Sequence, residues 1–374
     1  MTVKSISLFL PSLVGGGAER VFLTLAKGFL DRNFQVDLVL AGKFGELVDQ
    51  VDPRANVVDL GCKHVIMSLT KLIKYIKTKK PTVILSALTH ANIIVIWAKL
   101  LTNSSVKIIA TEHLPFPERK MHGFDIKELV IPTLVRWFYP FADKIVAVSH
   151  DVANSIPRSF RKQTNKNQVI YNPLDIKDII KKANAPPEHA WLKAKTKKII
   201  LSVGRLNRQK DFPTLIRAFA QVCKHQPSRL IILGEGEERS NLEMLVRELG
   251  ISSEVSLPGF VQNPYPFMKH ADLFVLSSIA EGFPVVLEEA IACGIPVIST
   301  NCPGGSKEIL ADGVYGVLVP VGDENAIAEA IKKILINPPD TKEARKRAND
   351  FDLEKVIGNY IDLIHEISQP AALI

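Results

Sequence analysis

Two carboxylates and two basic side chains in this 374-residue chain have a spacing that suits a ligand with both a diphosphate and sugar hydroxyls. Glu281 and Glu289 lie in the stretch Ser277–Ala290, SSIAEGFPVVLEEA, with a Gly-Phe-Pro turn between them. A carboxylate is a poor partner for phosphate but a good acceptor from hydroxyl groups. Arg205 and Lys210 lie in a glycine-led loop and could neutralise a diphosphate, because arginine gives forked hydrogen bonds and lysine a compact charge. These residues favour a nucleotide-sugar as the ligand.

The hydrophobic pattern predicts that the two carboxylates and the two basic residues each lie at the junction between a strand and the helix that follows it. The apolar runs Leu273–Leu276 and Lys198–Val203, which precede the two stretches, are typical of buried parallel strands. Pro284 suits the first position of the following helix. A helix N-terminus, with its unpaired N–H groups and positive dipole end, is a good position for a diphosphate. A glutamate near a helix start is also common for dipole reasons alone, so the spacing of the two carboxylates is weak evidence by itself.

The same alternation of strands and helices continues through most of the chain and predicts an α/β protein with doubly wound parallel sheets. The length favours two domains, which we place at residues 1–175 and 176–352. The segment 172–196 is rich in proline and lysine, and we predict that it contains the linker. In the first half, strands are expected at Ile6–Leu10, Gln35–Leu40, Val57–Leu60, Val83–Ser86, Val106–Ala110, Ile145–Val148 and Gln168–Tyr171.

Composition and charge limit the classes of protein and partner. Four scattered cysteines without metal-ligand spacing fit a reducing cytosol. The first residues favour a strand over a signal peptide, and the apolar segment 84–101 is interrupted by polar residues, which favours a strand and a buried helix over a membrane span. Residues 1–185 contain 26 Lys and Arg against 15 Asp and Glu, whereas the remainder has a net charge of −3. A basic first half favours an anionic surface, and no nucleic-acid recognition motif is present.

Lysines are densest in Leu69–Lys80 (LTKLIKYIKTKK), where apolar residues at helical spacing predict an amphipathic helix. Such a helix most often packs on a sheet and keeps its basic face in water. The more specific hypothesis is that this basic face contacts an anionic membrane.

The stretch EGFPVVLEEA followed by CGIPVIST resembles the signature of retaining glycosyltransferases of family 4, and VGRLNRQKD resembles their phosphate-binding loop. The resemblance covers nearly the whole chain. It implies the GT-B fold, with two Rossmann-like domains that face each other across a cleft. The first domain would be on the acceptor side and the second would bind the nucleotide-sugar, while a last helix at about 353–374 would pack back on the first domain.

The resemblance also implies roles for particular residues. The glycines of Gly15–Glu19 would contact the donor, although Arg20 breaks the dinucleotide fingerprint and the residues alone fit a plain βα turn equally well. Glu112, which precedes the candidate residue His113, could equally be a solvated acid of the loop. The implied catalytic residues are His113, Glu281, Arg205 and Lys210. The implied donor-binding residues are Gly16, Gly17, Arg205, Lys210, Gly282, Phe283, Pro284, Val286, Leu287, Glu289 and Val261.

Metal-assisted binding of the diphosphate is not expected. Asp350 and Asp352 have the D-x-D form that binds a metal–diphosphate in another glycosyltransferase fold, but Asp352 is better explained as a helix N-cap. Neutralisation of the diphosphate is assigned to Arg205, Lys210 and helix N-terminal amides. We therefore expect no cofactor and no metal, with the nucleotide-sugar as a substrate.

The expected reaction is transfer of a hexose or N-acetylhexosamine, with retention, from a nucleoside diphosphate sugar to a hydroxyl of a lipid-linked glycan in cell-envelope polysaccharide or glycoconjugate synthesis. UDP is favoured over GDP by family frequency alone, and the expected location is cytoplasmic, peripheral on the inner face of the membrane. Two alternatives stay open: a transferase with a soluble acceptor of the sucrose or glycogen type, and a non-catalytic sugar-nucleotide-binding protein. A nicotinamide dehydrogenase is disfavoured by the broken glycine fingerprint.

Overall fold

The computed structural model describes residues 5–116, 126–156 and 166–369. Packing divides the chain into two compact units, one of Met1–Pro173 with Leu353–Ile374 and one of Leu174–Asp352. Each unit is built on one parallel sheet, as the alternating pattern predicts.

The first unit has a seven-stranded parallel sheet in the order β3-β2-β1-β4-β5-β6-β7. Its strands are β1 Ser5–Leu10, β2 Gln35–Leu40, β3 Asn56–Asp59, β4 Val83–Ala87, β5 Lys107–Glu112, β6 Lys144–Ala147 and β7 Asn167–Val169. Its helices are α1 Gly17–Asp31, α2 Leu69–Lys79, α3 Thr89–Thr102, α4 Ile126–Phe138, α5 His150–Ser155 and the last helix of the chain, α15 Leu353–Ser368, with short 3-10 turns at Val48–Gln50, Val65–Ser68 and Tyr139–Phe141.

The second unit has a six-stranded parallel sheet in the order β10-β9-β8-β11-β12-β13. Its strands are β8 Lys198–Val203, β9 Ser228–Leu233, β10 Val255–Gly259, β11 Leu273–Leu276, β12 Val297–Thr300 and β13 Val317–Val319. Its helices are α6 Ile176–Ala183, α7 Ala190–Lys193, α8 Phe212–Cys223, α9 Arg239–Glu248, α10 Tyr265–His270, α11 Val285–Cys293, α12 Ser306–Ile309, α13 Glu324–Ile336 and α14 Lys342–Arg347, with 3-10 turns at Arg208–Lys210, Ala311–Gly313 and Ala348–Phe351.

In both sheets the order of the strands reverses once, between β1 and β4 in the first unit and between β8 and β11 in the second. Consecutive strands are added outward on one side of this switch point and then outward on the other side. In open α/β sheets, ligands bind outside the carboxyl ends of the strands at such a switch point. The topology therefore indicates one candidate ligand position in each unit.

The strands are apolar on both faces because helices cover each side of the sheets. In β8, for example, Ile199, Ile200 and Leu201 are all wholly buried. The last helix α15 packs on α1 within the first unit, where a side chain at Gly28 would lie 2.4 Å from Ile357. A glycine at position 28 thus allows the two helices to approach closely.

Two local expectations differ from the structure. Most of the segment predicted to contain the linker is folded into the second unit and includes α6 and α7. The helix α6 forms because the Asp175 carboxylate caps it, accepting from the N–H of Asp178 at 3.0 Å, and because Ile179 and Ala183 are buried. In addition, β5 extends through Glu112 instead of ending near Ala110. Within the described ranges, no helix combines the length and the apolarity that crossing a membrane requires.

Candidate active site

The basic loop and the carboxylate loop meet at the switch point of the second sheet. The loop 204–211 follows β8 and the loop 277–284 follows β11, and these strands are neighbours that pair through Leu273 with Ile200 and Phe274 with Leu201. Parallel neighbours end at the same edge of a sheet. The fold therefore places Arg205 and Lys210 on the loop beside the one that carries Glu281.

The central contact of this site is a mostly buried ion pair. The Nζ atom of Lys210 lies 2.6 Å from Oε1 of Glu281, and their side chains are 17% and 9% exposed. The hydroxyl of Ser278 donates to the same carboxylate oxygen at 2.6 Å. Ser278 was not among the predicted site residues, because a serine after a strand carries no distinctive signal.

Hydrogen bonds between the two loops fix their relative position. The hydroxyl of Ser277 donates to the carbonyl of Lys210 at 2.7 Å, and the side-chain amide of Gln209 donates to the carbonyl of Ala280 at 2.8 Å. The N–H of Ile279 donates in return to the carbonyl of Gln209 at 2.9 Å. These hydrogen bonds between the loops hold Lys210 and Glu281 close together, in addition to the attraction between their charges.

Glycines allow the neighbouring loops to pack closely against the site. Gly304 has φ of +123°, and a Cβ there would lie 1.7 Å from the carbonyl oxygen of Glu281. Gly234 has φ of +141°, and a Cβ there would lie 1.9 Å from the carbonyl oxygen of Gly204. Only glycine fits these positions, because both the backbone conformation and the space exclude a side chain.

The other predicted cation, Arg205, is exposed, whereas Lys210 is partly buried. Asn207 shapes this loop, since its side-chain oxygen accepts from the N–H of Lys210 at 3.2 Å. The loop therefore presents an exposed guanidinium and, separately, an ammonium that is held by a carboxylate.

Glu289 lies in α11 and is 6% exposed. The phenol of Tyr265, from α10, donates to its Oε1 at 2.9 Å. The sequence reading missed Tyr265, which lies 24 residues away and is brought close by the packing of α10 against α11. The adjacent Glu288 is wholly buried, and neither of its carboxylate oxygens has a hydrogen-bond partner within the described part of the chain. Burial raises the pKa of Glu288 well above its usual value, and the charge of Glu289 adds to the effect.

The remaining predicted donor residues lie at the start of α11, except Val261, which follows β10. Pro284 was expected to be the first helical residue of α11, but it is the N-cap, and the helix begins at Val285. The carbonyl of Pro284 accepts from the N–H of Leu287 at 2.9 Å. The side chain of Leu287 is wholly buried, and Phe283 is buried against Phe351 with ring centroids 5.3 Å apart. The carbonyl of Gly282 accepts from Gly305, and Val286 and Val261 are half-buried.

In the first unit, the glycine loop follows β1 at the switch point, as expected. Gly16 is the N-cap of α1, and a Cβ there would lie 2.3 Å from a carboxylate oxygen of Glu19, whereas a Cβ at Gly17 would meet nothing within 4 Å. Nearby in the fold, Leu88 follows β4 with φ of +76°. This conformation is strained for a leucine, and such strain is concentrated at functional sites.

His113 directly follows β5 and is 8% exposed. Its Nε2 lies 2.8 Å from Oγ1 of Thr111, and its ring packs edge-on against Phe22 with centroids 6.0 Å apart. Burial lowers the pKa of His113 to about 4, so the imidazole is neutral at pH 7.

The alternative that Glu112 is a solvated loop acid is wrong. Glu112 is 2% exposed because β5 continues through it, and three polar side chains donate to its carboxylate. Thr89 donates to Oε2 at 2.8 Å, Asn92 donates to Oε1 at 2.9 Å, and the phenol of Tyr139 also donates to Oε1. Burial raises the pKa of Glu112 to about 7, and these hydrogen bonds oppose the shift.

The D-x-D sequence lies in and just after the 3-10 turn before α15. The carboxylate of Asp350 accepts from Nη1 of Arg347 at 2.7 Å, three residues before it. Within the described residues, no three or more His, Cys, Asp or Glu side chains form a cluster that could hold a metal ion.

Comparison with known proteins identifies related families for both units. The model described as Glycosyltransferase Family 4 matches residues 15–178, and the model described as Glycosyl transferases group 1 matches residues 188–351. Among solved structures, Anabaena HepE in complex with UDP-glucose aligns with a TM-score of 0.80 at 22% identity, covering 97% of this chain and 99% of that chain. This likeness confirms the fold.

Two relatives are similar over most of their length. The chain is 31% identical over 369 residues to the N-acetylgalactosamine-N,N'-diacetylbacillosaminyl-diphospho-undecaprenol 4-alpha-N-acetylgalactosaminyltransferase of Campylobacter jejuni, with 95% of this chain and 97% of the relative covered. It is 27% identical over 290 residues to the N-acetyl-alpha-D-glucosaminyl L-malate synthase of Bacillus anthracis, with 75% and 73% covered. With its two Rossmann-like sheets and these matches, the chain belongs to the group 1 glycosyltransferases of family 4 and has the GT-B fold.

Proposed function

We propose that this glycosyltransferase transfers a hexose or N-acetylhexosamine from a UDP-sugar to a hydroxyl of a polyprenyl-diphosphate-linked glycan, with retention at the anomeric carbon. The observation that carries the proposal is the meeting of Arg205, Lys210 and Glu281 at the switch point of the second sheet, with Glu289 in the helix that follows. Cations for a diphosphate and carboxylates for hydroxyls are thus gathered where α/β sheets bind ligands.

The chemical task of the second unit is to stabilise negative charge on the departing UDP. Lys210 and Arg205 would bind the diphosphate oxygens, and the N-terminal amides of α11 would add a positive dipole end. Glu281 would accept from hydroxyls of the transferred sugar, and Glu289 from those of the ribose. His113, in the first unit, would contact the transferred sugar.

Retention fits a front-face reaction, in which the acceptor hydroxyl attacks from the side that the diphosphate leaves. A phosphate oxygen of the leaving group takes the acceptor proton as the glycosidic bond forms, so no protein nucleophile is required. The positive groups would act by holding the developing phosphate charge, which increases in the transition state. No metal ion is part of this proposal.

A lipid-linked acceptor is supported by the first unit and by a relative. All five lysines of the segment 69–80 are exposed, and the adjacent Ile66 and Met67 are 57% and 61% exposed. A basic helix face beside exposed apolar side chains suits peripheral contact with an anionic bilayer. The name of the Campylobacter jejuni relative indicates a diphospho-undecaprenol-linked acceptor for that protein.

The second candidate is a transferase with a soluble acceptor. The name of the Bacillus anthracis relative indicates a small acid, L-malate, as the acceptor for that protein. Both candidates share the same donor chemistry, so only the acceptor distinguishes them.

The test is a panel of UDP- and GDP-sugars with the full chain, in which released nucleotide is measured with and without acceptor. Polyprenyl-diphosphate-linked glycan and a set of soluble hydroxy acids and sugars serve as the two acceptor arms. The proton coupling at the anomeric carbon of the product reports retention or inversion. We expect release from a UDP-sugar that increases with the lipid-linked acceptor. Release that increases only with soluble acceptors would favour the second candidate, and tight UDP binding without turnover would favour a non-catalytic binding protein.

A further inference from the structure

A short hydrogen-bond chain lies behind His113. Thr111 and His113 are two residues apart along an extended chain, so their side chains lie on the same side of the sheet. Oγ1 of Thr111 lies 2.8 Å from Nε2 of His113 and also 2.8 Å from the carbonyl oxygen of Ser86, in the neighbouring strand β4. Thr111 and Ser86 are both wholly buried, so water does not compete for these bonds.

The direction of each bond in this chain follows from counting protons. A threonine hydroxyl has one proton, and a backbone carbonyl can only accept, so Thr111 donates to Ser86. The lone pairs of Oγ1 then face Nε2, which must therefore carry a proton and donate it to Thr111. Since the buried imidazole is neutral, its other nitrogen, Nδ1, is unprotonated and can only accept.

The surroundings hold this arrangement in one orientation. The side chain of Asn92 accepts from the hydroxyl of Ser86 at 2.6 Å and donates to the carbonyl of Thr111 at 2.9 Å, which ties β4 to β5. Phe22 packs edge-on against the imidazole. The hydrogen bond to Thr111 is the one that the described residues provide for the His113 ring, which leaves Nδ1 for a ligand.

We propose that Thr111 is a positioning residue that holds His113 as the Nε2–H tautomer, so that Nδ1 accepts a hydrogen bond from a hydroxyl of the transferred sugar. The inference rests on the proposed function, in which His113 contacts that sugar. It restricts the substrate class, because an acceptor nitrogen selects a donor. A hydroxyl at this position of the sugar would be accepted, and a carboxylate, as in a uronic acid, would be rejected by repulsion between lone pairs.

The first experiment measures the tautomer directly. The full chain is prepared with ¹⁵N- and ¹³C-labelled histidine, and the signals of His113 are assigned by their loss in His113→Gln. We expect a protonated Nε2 and an unprotonated Nδ1 at pH 7 in the ligand-free protein. A protonated Nδ1 would overturn the inference even if Thr111 variants failed to fold.

The second experiment compares Thr111→Val with Thr111→Ser. Valine matches threonine in shape but lacks the hydroxyl, whereas serine keeps the hydroxyl. We expect Thr111→Val to lower kcat/KM by roughly tenfold, as loss of one hydrogen bond implies, and to shift the His113 tautomer signals. UDP affinity should stay unchanged, and Thr111→Ser should restore both readouts.

The outcomes separate this inference from the proposed function. Equal kcat/KM and equal tautomer signals in Thr111→Val and wild type would overturn the role of Thr111 and leave transferase activity standing. A wild-type chain that transfers no sugar from any donor would contradict the proposed function and, with it, the sugar contact of His113.

Discussion

The ammonium group of Lys210 lies 2.6 Å from the Oε1 atom of Glu281, although 71 positions separate the two residues in the chain. The distance is short because β8 and β11 are neighbours at the switch point and their loops are hydrogen-bonded to each other. Lys210 is consequently ordered before any ligand arrives. A preorganised cation costs less side-chain entropy when it binds a diphosphate.

This ion pair predicts that the two cations of the basic loop differ in their effect on stability. Lys210→Met removes the partner of a nearly buried carboxylate and should destabilise the protein by about 3 kcal/mol. Arg205→Met replaces an exposed side chain and should leave the melting temperature within about 2 °C of wild type. Both variants should lose most of their sugar transfer, because each removes a proposed diphosphate ligand.

Thermal unfolding and nucleotide release measure the two effects separately. The matched control is Arg208→Met, since Arg208 is an exposed arginine of the same loop. Turnover of Arg205→Met equal to that of Arg208→Met would remove Arg205 from the diphosphate role.

Glu289 should contribute to nucleotide affinity through the ribose. Glu289→Ala removes a charge-assisted hydroxyl contact, so we expect UDP to bind more weakly by roughly 1.5–3 kcal/mol, about tenfold to a hundredfold in Kd. Tyr265→Phe, which removes only the hydroxyl that orients this carboxylate, should weaken binding less. Calorimetric titration with UDP measures both.

The neighbouring Glu288 provides the control for that titration. It is wholly buried in the same helix, so Glu288→Gln should leave the UDP affinity unchanged. An equal loss in Glu288→Gln and Glu289→Ala would show that disturbance of α11, and not a ribose contact, weakens binding.

Glu288 should itself lower the stability of the second unit at neutral pH. Its pKa is raised in the folded protein, whereas an unfolded glutamate ionises near 4.5. Stability is therefore greatest below the unfolded pKa and decreases as the pH rises toward the folded value. Glu288→Leu should remove this decrease and raise stability at pH 8 by at least about 1 kcal/mol.

Denaturant unfolding at pH 4.5 and pH 8 tests the sign. The gain from Glu288→Leu should be larger at pH 8, and the exposed Glu237→Leu should show no such pH dependence. A gain that is the same at both pH values would contradict an ionisation effect.

Sugar transfer should continue when divalent cations are removed. In the proposed function, Arg205, Lys210 and the amides of α11 would supply the positive charge that a metal provides elsewhere. Activity after dialysis against EDTA should therefore stay close to the untreated value. Complete loss that manganese restores would assign a metal to the site.

The lysines of residues 69–80, here called the α2 segment, should bind the protein to anionic membranes. Each is worth at most about 1 kcal/mol near an anionic surface, so changing Lys74, Lys77 and Lys80 to Gln together should weaken binding by up to about a hundredfold. Co-sedimentation with vesicles of phosphatidylglycerol and phosphatidylcholine measures it, and binding should decrease with salt because the Debye length shortens.

The matched control for this test is the change of Lys193, Lys224 and Lys333 to Gln. These lysines are also exposed but lie in the second unit, and the change in net charge is the same. If both triple variants bound equally, net charge and not the α2 segment would govern binding. Equal, negligible binding of wild type to neutral and anionic vesicles at low salt would favour a soluble acceptor.

Local signals in the sequence were sufficient for the fold class and for much of the candidate site. Buried parallel strands appear as continuous apolar runs, which is why β2, β8 and β11 have the predicted bounds. Glycine and proline mark the loops between strands and helices, so Gly204, Gly282 and Pro284 locate the two loops of the candidate site. These features depend on residues that are close together in the chain.

Only the tertiary structure decided which further residues support the candidate site residues. Ser278, Tyr265 and Thr111 have no distinctive sequence signal. Ser278 and Thr111 lie within three positions of their partners, whereas packing brings Tyr265 to Glu289 from 24 positions away. Burial likewise depends on which other residues cover a side chain. The sequence alone therefore could not distinguish Glu289, which is hydrogen-bonded to Tyr265, from the adjacent Glu288, which has no such partner within the described residues. The pattern of residues along the sequence predicts local conformation, whereas hydrogen-bond partners and burial depend on how the strands and helices are arranged in space.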